Sequence, residues 1–120
     1  MSVDPDFLYK YRAICTDVYD GDTITVDIDL GFRVWMKGEK IRLFGINAPE
    51  MRGPEKNAGT VTRNRLRAVI LGKEFHLHSV RDKVGKYGRW LGMAWVDVNG
   101  EPLNINAWLV AEGLAKAQDY

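Results

Sequence analysis

The stretch at residues 22–30, DTITVDIDL, alternates without interruption, with Ile24, Val26, Ile28 and Leu30 on one side and polar residues on the other. Successive side chains of a strand point to opposite faces, so this period of two predicts a half-buried β-strand. The upstream VYDGD supplies a turn near Asp20 and Gly21, with Gly21 able to take a positive φ, so YKYRAICTDV and TITVDIDL read as an antiparallel pair. Gly31 breaks the second strand. FRVWM and EKIRLFGI follow as further strands, with Gly38 as a turn between them.

Residues 54–71 change period. Ala58, Val61, Leu66, Val69 and Ile70 fall on one helical face, while Arg63, Asn64 and Arg67 fall elsewhere. Pro54 suits the first turn of such a helix, Glu55 its positive end, and Gly72 the residue just past its last turn; Gly59 weakens it. EFHLHSV returns to period two, and RWLGMAWVDV continues as a strand closed by the Asn99–Gly100 hairpin signal. After a short element, NINAWLVAEGLA predicts a second helix, with Asn104 as its N-cap and Gly113 as its stop. Three strands, a helix, two strands and a helix make a mainly β, α+β fold. The order matches a five-stranded Greek-key barrel of the oligonucleotide-binding (OB) type with two helices. A different α+β roll has the same order, and periodicity alone does not decide closure.

A length of 120 residues predicts one domain over 1–120, with residues 1–9 as a flexible start. No apolar run is long enough to cross a bilayer as a helix. The opening MSVDPDFLYKYRA lacks the basic start, apolar core and small-residue cleavage site of a secretory signal, which favours an intracellular protein over an exported one with its signal removed. Cys15 is the single cysteine and reads as a buried, inert thiol. Net charge is +1, too little to argue for a nucleic-acid partner, but its distribution is uneven. Residues 4–29 hold seven Asp against Lys10 and Arg12, whereas residues 52–73 hold six Lys or Arg against Glu55 alone. Residues 81–89 add four more against Asp82. A basic surface of this kind draws anions, less so as salt rises.

Three stretches carry candidate chemistry: DGDT at 20–23, RLFGINAPE at 42–50 and KYGR at 86–89. Each alone is weak, because an Asp- and Gly-rich turn is usually only a turn. In this order, around a helix, and with GPE at 53–55 and GLAK at 113–116, the chain resembles the staphylococcal nuclease (thermonuclease) family from about Tyr11 to Lys116. The resemblance implies an OB-type barrel that hydrolyses DNA or RNA phosphodiesters with Ca²⁺ and little sequence preference. The 5′ oxygen leaves, giving 3′-phosphate products. It also implies roles for particular residues. Asp22 is a Ca²⁺ ligand, joined by Asn47 and the carbonyl of Ala48, with Asp20 in the shell outside. Arg42 and Arg89 grip the scissile phosphate, Glu50 is the general base on water or orients it, and Lys86 and Tyr87 contact a terminal phosphate. Single-stranded or frayed nucleic acid is the implied partner, bound by a monomer.

These residue types suit the chemistry. In-line attack on a phosphodiester concentrates negative charge on its oxygens, and planar, permanently charged guanidiniums meet it bidentately. Ca²⁺ prefers oxygen ligands and tolerates irregular geometry. Position 47 departs from the family, which usually has Asp there; Asn47 keeps an oxygen donor but loses a charge, so weaker metal binding is expected, improving when substrate brings its own negative oxygen. The family's usual Thr is Ala48 here, and the segment between Glu50 and Gly53 is short. Tyr120 is considered as a base-stacking residue. His76 and His78 share a strand face but have no third ligand for zinc. Trp35, Trp90, Trp95 and Trp108 are assigned to packing rather than base stacking. The competing function is a nucleic-acid- or protein-binding module on the same barrel, with Asn47 marking lost catalysis. Asp22 and Glu50 argue against it, because carboxylates beside an anionic ligand repel it unless a cation lies between.

Overall fold

A computed structural model describes residues 8–118; residues 1–7 of the expected flexible start, and Tyr120 with its stacking role, lie outside the described residues. The chain forms strands β1 (Lys10–Asp20), β2 (Thr23–Gly31), β3 (Val34–Leu43) and the short β4 (Ile46–Asn47), then a 3₁₀ turn (Gly53–Glu55) leading into helix α1 (Lys56–Ile70). Strands β5 (Glu74–Val84), β6 (Trp90–Val98) and β7 (Glu101–Asn104) follow, then helix α2 (Ile105–Ala111) and the short β8 (Lys116–Ala117). Neighbouring strands run in the order β3-β2-β1-β5-β6-β7, and β3 also pairs with β6, which closes five strands into a barrel. The closing pair is parallel, with Ile41 opposite Trp90 and Arg42 opposite Leu91. β4 and β8 form a separate two-stranded ribbon.

The alternation of β2 sends Ile24, Val26 and Ile28 into the barrel, where they meet Val18, Cys15 and Ala13 of β1. The inward residues of β1 are not evenly spaced: Cys15 and Val18 are three apart. Register shifts between Cys15 and Asp17, and again between Val18 and Asp20, absorb the extra residues as bulges and restore the inward phase. Phe75, Leu77, Leu43, Ile41, Leu66, Ile70, Ile105 and Leu109 complete the core. Burying each such side chain contributes roughly 1.5–3 kcal/mol relative to leaving it in water.

Several expectations need correction. Residues 34–43 form one strand, not two: Gly38, at φ +67, sits in a bulge between the Val26–Glu39 and Ile28–Met36 pairs, and Asp27 accepts its amide at 2.9 Å. Helix α1 presents Gly59, Thr62, Leu66 and Ile70 to the core, while Ala58 and Val61 face solvent. The expected stripe therefore held only part of the buried face, since two of the inward positions are small or polar. Gly21 is not in the left-handed region; its missing Cβ matters because one there would lie 2.5 Å from Thr62 Cγ2 and 2.7 Å from Ala48 Cβ.

The Asn99–Gly100 turn forms as read, both residues at positive φ, and Asn104 caps α2 by accepting the Ala107 amide at 3.1 Å. The four tryptophans are all half-buried. Trp90 and Trp108 pack on the core, Trp95 lies against His78 with ring centroids 5.6 Å apart, and Trp35 is covered by the Arg12 and Lys37 cations. Cys15 is fully buried, and burial pushes its thiol up to about 11.

Candidate active site

The bulge before Asp20 and the closing parallel pair bring the ends of β1, β2, β3 and β6 together. Asp20, Thr23 and Arg42 stand opposite one another in a row across β1, β2 and β3. Asp22, in the turn before β2, is 7% exposed. Its Oδ2 accepts the Ala48 amide at 2.9 Å and lies 3.4 Å from Arg42 Nη2. The same guanidinium donates to the Leu43 carbonyl at 2.9 Å and reaches Asn47 Oδ1 at 3.5 Å. Asn47 itself is exposed and Ala48 is buried.

Thr23 lies in the DGDT stretch but has no role assigned from the sequence, yet it links the two arginines through Asp22. Its hydroxyl donates to Asp22 Oδ1 at 3.4 Å and accepts from Arg89 Nη1 at 3.0 Å. A Thr at the start of a strand carries no signal of this role; only the register that sets it beside Arg42 reveals it. Asp20 accepts the Asp22 amide at 3.0 Å. Burial, and then the neighbouring Asp22 charge, push its carboxyl up to about 6. Asp20 is thus held part-buried beside the Asp22 charge, which disfavours its own.

Arg42 and Arg89 also line one cleft of about 410 Å³ with Lys86, Tyr87, Leu91 and Gln118. Lys86 and Tyr87 belong to a tight turn (Lys86–Gly88) held by the Gly85 amide on the Arg89 carbonyl at 2.7 Å. Tyr87 takes φ 65 and is 89% exposed, and the Arg89 guanidinium lies 5.3 Å from its ring centre. Gln118 was another omission; its amide bonds the Gly45 carbonyl at 2.9 Å, which sets the end of the described chain beside the β3 exit.

Contacts therefore join Asp20, Asp22, Arg42, Asn47, Ala48 and Arg89, and the cleft adds Lys86 and Tyr87. Glu50 stands outside this network. It is exposed, two residues past Ala48, with no hydrogen-bond or ion-pair partner among the described residues. Its backbone is fixed instead: a Cβ at Gly59 of α1 would lie 2.3 Å from the Glu50 carbonyl oxygen. The loop carrying Glu50 is pressed against the helix, and its free carboxylate projects into water.

Among the described residues no three His, Cys, Asp or Glu side chains gather as a metal cluster. The donors near Asp22 are oxygens: its own carboxylate, that of Asp20 and the Asn47 amide. Oxygen-only donors that include two carboxylates suit a hard cation such as Ca²⁺ better than zinc.

Comparison with known proteins identifies the family. Residues 40–120 match the family model described as staphylococcal nuclease homologue. Protein ParB of Escherichia coli is 33% identical over 118 residues, an alignment that covers 92% of this chain and 59% of that protein, so the chain spans under two thirds of this relative. The family match begins within β3 and takes in Arg42, Asn47, Glu50 and Arg89; the fold sets Asp22, which precedes it in the chain, against Arg42, with Asp20 behind it on the Asp22 amide. The closed five-strand barrel with two helices and the matched region together place the chain: it belongs to the staphylococcal nuclease homologue family.

Proposed function

We propose that this chain is a Ca²⁺-dependent endonuclease that hydrolyses DNA or RNA phosphodiesters with little sequence preference, expelling the 5′ oxygen to leave 3′-phosphate products. One observation carries the reading: two arginines from distant parts of the chain line a single cleft and are both tethered, directly or through Thr23, to Asp22. An acid this close to a bound phosphate repels it unless a cation lies between them, so the arrangement favours a site that also holds a cation.

In this reading Arg42 and Arg89 hold the non-bridging oxygens of the scissile phosphate and neutralise the charge that grows there during attack. Their tethers to Asp22, Thr23 and Leu43 fix the guanidiniums before substrate arrives, so little reorganisation is needed at the moment of reaction. Asp22, Asn47 and the Ala48 carbonyl would hold Ca²⁺, with Asp20 supporting Asp22 through its amide. When bound, the ion supplies positive charge beside the phosphate and gathers water near it. Glu50 takes the proton of the attacking water; its exposed and unpaired carboxylate is free to accept one. Lys86 and Tyr87 hold a neighbouring phosphate of the strand. Single-stranded or frayed nucleic acid fits best, since a strand in the cleft must be separated from its complement.

The test is cleavage of single-stranded DNA with millimolar Ca²⁺ and with EGTA. Ca²⁺-dependent cleavage is expected, with a loss of roughly 10²–10⁴ in rate for Glu50→Gln. Strand binding in EGTA without cleavage at any Ca²⁺ level would instead make the chain a binding module of the same fold.

A further inference from the structure

We propose that the strip Asp17–Thr25–Lys40, beside the row Asp20–Thr23–Arg42, is a second nucleotide subsite, on the far side of the scissile phosphate from Lys86. The inference rests on the nuclease reading and extends it from a single cleft to a track for a strand. Asp17, Thr25 and Lys40 stand opposite one another across β1, β2 and β3, as Asp20, Thr23 and Arg42 do one step further along. Thr23 and Thr25, and likewise Arg42 and Lys40, are two residues apart on one strand, so the two rows share the outer face and lie about 7 Å apart at the usual strand rise. That step is comparable to the spacing of successive phosphates in a stretched strand.

This second row lines a separate cleft of about 360 Å³, completed by Tyr19, Thr23, Tyr87 and Arg89. Tyr87 and Arg89 thus form a wall common to both clefts, and a phosphate held by Arg89 lies where they meet. A strand whose phosphate is gripped there must leave in two directions, one into each cleft.

The chemistry of the second cleft suits a nucleotide. Lys40 is exposed with no ion-pair partner among the described residues, which leaves its ammonium available to a backbone phosphate. Tyr19 is the extra residue of the second β1 bulge and is 65% exposed; its ring lines the cleft wall, where a base can stack on it. Asp17, exposed at the other end of the row, repels a phosphate but accepts from the amino edge of a base. Its placement opposite Lys40 orients the nucleotide, with its phosphate toward β3 and its base toward β1.

The experiment compares kcat/KM for a short single-stranded oligonucleotide that fills only the Lys86 cleft with that for one extended across the Lys40 row, for the wild type, Lys40→Ala and Tyr19→Ala. Each substitution is expected to lower the long-to-short ratio on the order of tenfold, mainly through KM. Lys40→Ala should also reduce the slope of log affinity against log salt by about 0.7, the value for one phosphate contact on a single strand. An unchanged ratio in both variants overturns the inference. If the wild type cleaves nothing, fluorescence anisotropy of a labelled long strand in EGTA decides separately. Weaker binding by both variants then upholds the subsite although the nuclease reading fails, and equal binding removes the subsite as well.

Discussion

At the scale of single residues, the resemblance in the sequence points to Asp22, Arg42, Glu50 and Arg89, and phosphate chemistry explains why guanidiniums and carboxylates would be the types in such a site. Their tethers were not readable. Thr23 has no sequence signature, yet its hydroxyl joins Arg89 to Asp22, and the Asn47 amide oxygen was expected at a metal but also meets Arg42 Nη2 at 3.5 Å. This contact bears on what a carboxylate at position 47 would do. Asn47→Asp adds a charge to the oxygen set and a second acid beside Arg42, so the Ca²⁺ concentration giving half-maximal cleavage should fall severalfold, as a Ca²⁺ titration of activity would record. A rise would mean that the new carboxylate binds Arg42 in preference to the ion. For the arginines, Arg89→Lys and Arg42→Lys keep the charge but lose the planar fork; each should lower kcat on the order of 10² in steady-state assays, as expected where a transition-state donor is misplaced.

At the scale of elements, strands with strict alternation were legible and those with bulges were not. β3 was divided at Gly38 because a glycine in an extended run suggests a turn, whereas here it is a bulge that keeps one strand continuous from Val34 to Leu43. The α1 glycine is the opposite lesson. Propensity alone makes Gly59 a weakness worth about 1 kcal/mol, so Gly59→Ala should stabilise an isolated helix. In this fold the added methyl would lie 2.3 Å from the Glu50 carbonyl oxygen, and backbone rather than a flexible side chain must yield. Overpacking of this kind costs about 1–3 kcal/mol, which exceeds the gain in propensity. Gly59→Ala should therefore lower the midpoint of denaturant unfolding, and it should also reduce cleavage by the folded protein, because the loop that must shift carries Glu50. A more stable variant with full activity would show that this contact relaxes without consequence.

At the scale of the whole molecule, closure was beyond the reach of periodicity, since the decisive pair joins β3 to β6 across about fifty residues and runs parallel. Asn106 secures that seam. Buried at 4% exposure, it accepts the Ala94 amide at 3.1 Å and donates to the Phe44 and Gly92 carbonyls at 2.8 and 3.2 Å, which ties α2 to the ends of β3 and β6 at once. Asn106→Leu is close in size but leaves the Ala94 amide without this acceptor, at a cost of about 1–3 kcal/mol measurable by chemical unfolding.

The same seam sets Arg42 beside the first residues of β6, so the fold and the site are coupled and a ligand held there should stabilise the barrel as a whole. Linkage makes the effect RT ln(1 + [L]/Kd). With two acids and an amide for donors, Ca²⁺ alone should raise the thermal midpoint little at millimolar concentration. A nucleotide bisphosphate alone should also do little, because Asp20 and Asp22 repel it. Both together should give a rise larger than the sum of the separate ones, since the phosphate supplies the charge that position 47 lacks and the ion screens the acids. Thermal unfolding in the four conditions measures this coupling directly. Additive shifts would mean that ion and phosphate do not share the site, whereas a supra-additive shift reduced in Asp22→Asn would locate the coupling at that carboxylate.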